Sequence, residues 1–347
     1  MNKKLLAIAV GAAITLPSVA LAAGPTVYGK VNLTLEKQDL ESKDVDQISL
    51  DSNNSRLGVK GDFDLDVGGL KAIYQAEFGM FVDDGDNSST KTLTDSNGDT
   101  VDVKDNTGVF SQRNIFGGIT GGFGTVKAGM FDSPTKMAQG KIDQFNDLDG
   151  DIKKILAGEN RVKNIVQYST PKFADSITVN VAIIPGEGAT VDGEVKDGFA
   201  DSTSISAVFE SGNFYAALAH DSEIVDGLEV DDQGASAAAD ITRLVGAFKA
   251  EAFEVGLLYQ IAEESEGDGK DSSIVASGAF NIDRIKLKAQ YGMTDGDVSD
   301  DTWTTTSVGA DYKLAKASKV FAYYTILDKD VADTSDSYFA VGMEHKF

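Results

Sequence analysis

The sequence predicts an all-β protein, a 16-stranded antiparallel transmembrane β-barrel, on three observations. Apolar and polar residues alternate with period two along most of the chain, the mark of strands with one oily and one wet face. The segments so patterned number 16, joined by links that alternate short and long. An even count with short turns at one rim and long polar loops at the other is the layout of an outer-membrane barrel. The chain also opens with an export leader, and no other stretch is apolar enough for a membrane-spanning helix;.

That leader is residues 1–22. Lys3 and Lys4 form a basic head, Leu5 to Leu16 an apolar run, and Ala20-Leu21-Ala22 an A-x-A cleavage site;. The apolar run is short for a membrane anchor of about 20 residues. Cleavage after Ala22 leaves residues 23–347 as a single barrel domain of 325 residues with 29 basic and 55 acidic side chains, a net charge of −26. So acidic a chain is a poor partner for nucleic acid, which needs a basic field. Cysteine is absent, so disulfides and thiolate chemistry are excluded;. Only 5 prolines occur, which suits many hydrogen-bonded strands.

Taken in order, alternation begins at Val27–Leu35, where Val27, Val31, Leu33 and Leu35 oppose Tyr28, Lys30, Asn32 and Thr34. A polar loop, Glu36 to Gln47, follows. Ser55–Leu65 sets Leu57, Val59, Phe63 and Leu65 against Arg56, Lys60 and Asp62, and Gly68-Gly69 turns the chain into Leu70–Phe78;. Asp83 to Asp105 reads as a long loop. Val109–Ile119 and Phe123–Met130 form a hairpin about Gly121-Gly122, the first with no clean pair of faces. Phe131 to Glu159 then breaks the pattern, and a loop that long in a compact architecture is usually functional.

Alternation resumes at Arg161–Tyr168 and continues through Ile177–Ile184, Ser202–Glu210, Asn213–Asp221, Ile241–Lys249, Phe253–Ala262, Ser272–Asn281, Ile285–Thr294, Thr304–Leu314 and Ser318–Leu327. The last strand places Phe339, Val341, Met343, His345 and Phe347 on one face. On this segment alone a soluble sandwich fits equally well. The count decides against it. A soluble barrel of 16 strands is hard to fill with side chains, whereas 16–18 strands leave an aqueous lumen.

Catalytic and metal chemistry find little support. His220 and His345 are the only histidines, and no G-x-S-x-G surrounds Ser222, so an outer-membrane barrel enzyme is the less favoured alternative;. Asp95–Asp99 and Asp147–Asp151 loosely suggest calcium loops but lack the twelfth-position Glu of an EF-hand;. No cofactor or dedicated metal site is expected.

The leader, VYGKVNLTLE, SNNSRLGVKG, SQRNIFGGITGGFGTVKAGMFDSP and the terminal GMEHKF together resemble the general diffusion porins of Gram-negative bacteria. The likeness covers essentially the whole mature chain. It implies a homotrimer of 16-stranded barrels in the outer membrane, among its lipid and lipopolysaccharide, passing small hydrophilic solutes and ions passively. It also implies that residues 131–159 fold inward as a constriction loop. By the same resemblance Lys30, Arg56, Arg113 and Arg161 are basic wall residues of the constriction. The alternation alone adds Lys127 and Lys163. Some of Asp143, Asp147, Asp149 and Asp151 would supply the opposing acidic face, and Phe347 the signal read by barrel-assembly machinery. The loop carries QFNDLDGD where the family often has a Pro-Glu-Phe-Gly-type turn. A porin specific for one solute class is the nearer alternative.

Overall fold

Strand-forming alternation becomes one closed sheet in the computed structural model, which describes residues 24–83, 88–94, 100–106, 108–191, 194–229, 236–265, 267, 269–296, 301–331 and 333–347. The leader and Asp95–Asp99 lie outside the described residues. The barrel strands are β1 (Thr26–Leu40), β2 (Val45–Ser52 continuing as Arg56–Asp64), β3 (Lys71–Met80), β4 (Phe110–Gly121), β5 (Gly124–Asp132), β6 (Arg161–Ser169), β7 (Ile177–Ile184) and β8 (Ser202–Ser211). They continue as β9 (Phe214–Glu229), β10 (Ser236–Lys249), β11 (Phe253–Glu264), β12 (Lys270–Ile282), β13 (Ile285–Gly296), β14 (Asp301–Ala315), β15 (Ser318–Lys329) and β16 (Thr334–Lys346). Each pairs antiparallel with its neighbour in sequence. β16 returns to β1 from Lys30↔Lys346 to Leu40↔Asp336. Closure removes the unpaired edges that lipid cannot tolerate.

Several sequence expectations shift. The polar loop from Glu36 shrinks to a 3₁₀ turn at Glu41–Lys43, because both flanking strands run on above the membrane band. β2 is one strand interrupted at Asn53-Asn54, with Asn54 in the left-handed region (φ 51°). Its two halves pair with the two halves of β1. The loop read from Asp83 carries a hairpin, Ser88–Thr94 with Thr100–Asn106. The muddled faces of β4 have a physical cause. A bulge opposite Ala76–Phe78 flips its parity, so Arg113 precedes it and Phe116 follows it on one face;.

Large apolar side chains stand exposed all round the outside, among them Leu218, Leu244, Leu257, Leu287, Val308, Tyr324, Phe339 and Met343. In water such a belt would be costly; against hydrocarbon it is the stable arrangement. Most of the buried apolar residues lie on the inside, against the segment that joins β5 to β6.

Candidate functional site

Residues 133–160, between β5 and β6, lie against the inner wall. Ser133 caps the short helix α1 (Pro134–Ala138), its Oγ accepting from the Lys136 amide at 3.1 Å;. Its last residue, Ala138, and beyond it Ile142, Ile152, Ile155 and Leu156 bury themselves on Ala217, Ala219, Val245, Leu258 and Val275 of β9 to β12. Phe145 and Leu148 pack on Phe321, Tyr323, Tyr338 and Ala340 of β15 and β16. Each buried Ile or Leu contributes about 1.5–3 kcal/mol towards holding the segment inside. The wall makes room. A Cβ on Gly256 would stand 2.6 Å from Ile142 Cγ2, and one on Gly292 2.3 Å from Ile155 Cδ1. Small and apolar residues at inward positions of β9–β13, where a water-lined wall would be polar, were the sequence signal for this dock.

Buried polar groups fix the segment's register. Arg243 of β10, 0% exposed, donates to Gln260 Oε1 (2.8 Å), Thr135 O (3.2 Å), Ala157 O (2.9 Å) and Glu159 Oε1 (2.7 Å). Burial pushes the Glu159 carboxyl up to about 6, although Arg243 and Lys136 pull it back;. Gln290 of β13 accepts from the Gln144 amide and donates to Gly150 O and Asp143 Oδ1. Sequence reading missed Arg243, Gln260 and Gln290, because inward glutamine and arginine look the same whether they meet water or a loop.

At the tip of the segment Asp147, in the left-handed region (φ 68°), meets Lys30 Nζ at 2.5 Å and Arg56 Nη1 at 3.6 Å. Burial raises its carboxyl, but Lys30, Arg56 and Arg113 outweigh this and hold it below the usual aspartate range. Arg113 pairs with Glu77 of β3 at 2.9 Å and donates to Asn54 at 2.8 Å. Arg161 pairs with Asp132 at 3.1 Å and donates to Asn114 at 2.8 Å. Lys30, Arg56, Arg113 and Arg161 therefore form one inner arc over β1, β2, β4 and β6. The wall acids Glu77 and Asp132, which sequence reading did not single out, lie among them. Lys127 Nζ lies over the rings of Phe131 (3.8 Å) and Phe116 (5.0 Å). Lys163 is exposed beside a bulge at Asn164 (φ 57°) and forms no ion pair among the described residues.

The four loop acids separate. Asp147 reaches the arc. Asp149 accepts from Tyr323 Oη (3.1 Å) and Lys154 Nζ (3.2 Å), on the side where Tyr323 also bonds Glu36. Asp143 and Asp151 do not reach the arc, because they brace the segment itself. Asp143 accepts from the amides of Phe145 and Ile152, and Asp151 from those of Asp147 and Lys153. Burial, and the charge of Asp151, push the Asp143 carboxyl well up. With its three carboxylates sent to different partners, Asp147–Asp151 does not make a cation loop. His220 Nδ1 lies 3.0 Å from Thr242 Oγ1, and His345 Nδ1 2.8 Å from Ser318 Oγ, both exposed.

A family model described as Gram-negative porin matches residues 7–332. Among curated proteins the chain is 25% identical over 386 residues to the major outer membrane protein P.IB of Neisseria gonorrhoeae, covering 100% of both. Among solved structures it is similar to the anion-selective porin from Comamonas acidovorans (TM-score 0.70, 18% identity, 93% of this chain and 99% of that one). It is also similar to the trimer form of OmpT of Vibrio cholerae (TM-score 0.61, 17% identity, 93% and 99%).

Proposed function

This chain belongs to the Gram-negative porin family and is a passive diffusion channel of the bacterial outer membrane; from that premise we propose that opposed charges at mid-pore set what it passes. The bridge from Asp147 to Lys30 and Arg56 is the observation that carries this reading. The inner segment hugs the wall from β8 round to β16 and touches β1 and β2 at its tip. Passage is then left along the arc of Arg56, Arg113 and Arg161, with Lys127 beyond it. Positive wall groups facing negative loop groups make a field across the pore. Polar solutes align their dipoles in it and exchange hydration there, while apolar solutes desolvate without return.

Glu77 and Asp132 offset part of the arc, and the chain's net charge is −24. We therefore assign a weak cation preference. The solutes are small and hydrophilic, and no catalytic step is assigned. Residues 1–22 are the export leader, Phe347 belongs to the signal read by the assembly machinery, and the barrel works as a homotrimer embedded in lipid and lipopolysaccharide.

Planar-bilayer recording in a salt gradient tests the assignment. Arg56→Ala and Arg113→Ala raise single-channel conductance and move the reversal potential towards cations. Unchanged conductance and potential in both variants would sink the charge-field reading while leaving the channel.

A further inference from the structure

Between the inner segment and the wall of β5–β11 lies a cavity of about 750 Å³, reaching the Ser211–Asn213 turn. Short turns mark the periplasmic rim of such barrels, so this cavity opens below the constriction. Its volume falls in the range of small-molecule sites, about 300–1,000 Å³. Its lining is unlike a plain water-filled vestibule. Met137 of α1 is 60% exposed into it, beside Ile142, Val208 and Tyr215. Leaving a thioether chain in water costs free energy that a covering solute would recover.

The charges on its lining are unequal in a second way. Glu254 is held by Lys249 (2.6 Å) and Lys286 (3.2 Å), and Glu210 by Lys172 (3.1 Å). Lys127 and Lys141 line the same space and form no ion pair among the described residues. Lys127 has only the faces of Phe131 and Phe116, and nearby Asp132 is already taken by Arg161 and Lys136. A cation on rings lacks the hydrogen-bond acceptor that an ammonium group prefers.

We propose that this cavity is a retention site for amphipathic organic monoanions, with Lys127 taking the anionic head, Lys141 adding charge, and Met137, Val208 and Tyr215 covering the apolar body. The inference rests on the diffusion-channel reading and adds a solute class to it. An anion with an apolar tail gains there twice, whereas acetate has nothing to bury and a neutral alcohol leaves Lys127 unpaired.

The test is current block by 4-phenylbutyrate in planar bilayers, scaled to each variant's own open-channel current, with acetate and 4-phenylbutanol as comparators. Phenylbutyrate blocks in a concentration-dependent way and the comparators do so at least about tenfold more weakly, the factor expected from losing one charge-assisted contact. Lys127→Met raises the half-blocking concentration about tenfold by the same reasoning, and Met137→Ser and Lys141→Gln raise it by smaller factors. Should Lys127→Met fail to insert, the other two variants carry the test. Equal block by phenylbutanol or acetate, or block unchanged in the variants, overturns the site. Conducting channels that are not blocked overturn this inference and spare the channel; silent bilayers overturn both.

Discussion

Asp147 is the side chain through which the inner segment meets Lys30 and Arg56 of the wall. Its folded pKa lies below its ordinary value of 3.8, since Lys30, Arg56 and Arg113 outweigh its burial. The bridge therefore contributes fully above that ordinary value and is lost as pH falls through the folded one. As pH falls through that folded value, below 3.8, the tip loses its negative charge and its hold on Lys30;. The reversal potential then moves towards anions as the pH is lowered below that point, and Asp147→Asn has already made the move at neutral pH. A wild-type potential at neutral pH equal to that of Asp147→Asn would exclude Asp147 from the neck. At this scale the sequence was partly legible. Period two put Lys30 and Arg56 on the polar faces of cleanly alternating strands, whereas Arg113, on a strand with no clean faces, came from the resemblance alone. Loop acids have no such rule: Asp143 and Asp151 turn inward to satisfy backbone amides, as aspartates in turns commonly do;.

For the inner segment as an element, docking is a matter of shape. Gly256 faces it and Gly246 faces outward, with nothing within 4 Å of a Cβ built there. At Gly256 the new Cβ would also lie 2.9 Å from Ile142 Cβ, so the loop backbone must move. Gly256→Val loosens the dock by about 1–3 kcal/mol, the usual cost of overpacking. It appears as added open-channel noise and faster tryptic cleavage at Lys153 in the folded barrel. Gly246→Val leaves both measurements at the wild-type level. Equal behaviour of the two variants would show that the segment does not depend on this contact. The long irregular stretch after β5 was visible in the sequence as a break in alternation, but its path was not. Its apolar residues follow neither period, because they answer to the curved wall they meet.

The barrel as a whole depends on one seam. β1 and β16 meet with Gly29 N bonded to Phe347 O at 2.9 Å and Phe347 N to Gly29 O at 3.1 Å. A Cβ on Gly29 would lie 2.2 Å from Phe347 Cζ, so the terminal ring occupies the space the glycine leaves. Deleting Phe347 removes these bonds and the ring that covers the seam. The yield of heat-modifiable folded barrel on a gel falls at least several-fold, since two lost hydrogen bonds at about 0.5–1.5 kcal/mol each remove about 1–3 kcal/mol. A truncated chain that assembles as well as the wild type would show that closure is complete without it.

By itself the sequence determined the class of the fold, the number of strands and which face of most of them meets lipid, β4 with its bulge excepted. Those features follow from local alternation, which repeats along the chain and needs no knowledge of distant partners. Tertiary structure decided where the inner segment runs, which of its acids reaches the bases, and that Arg243, Gln260 and Gln290 anchor it. These contacts, between residues 84 or more positions apart, depend on the curvature of the closed wall, and no local pattern encodes that curvature.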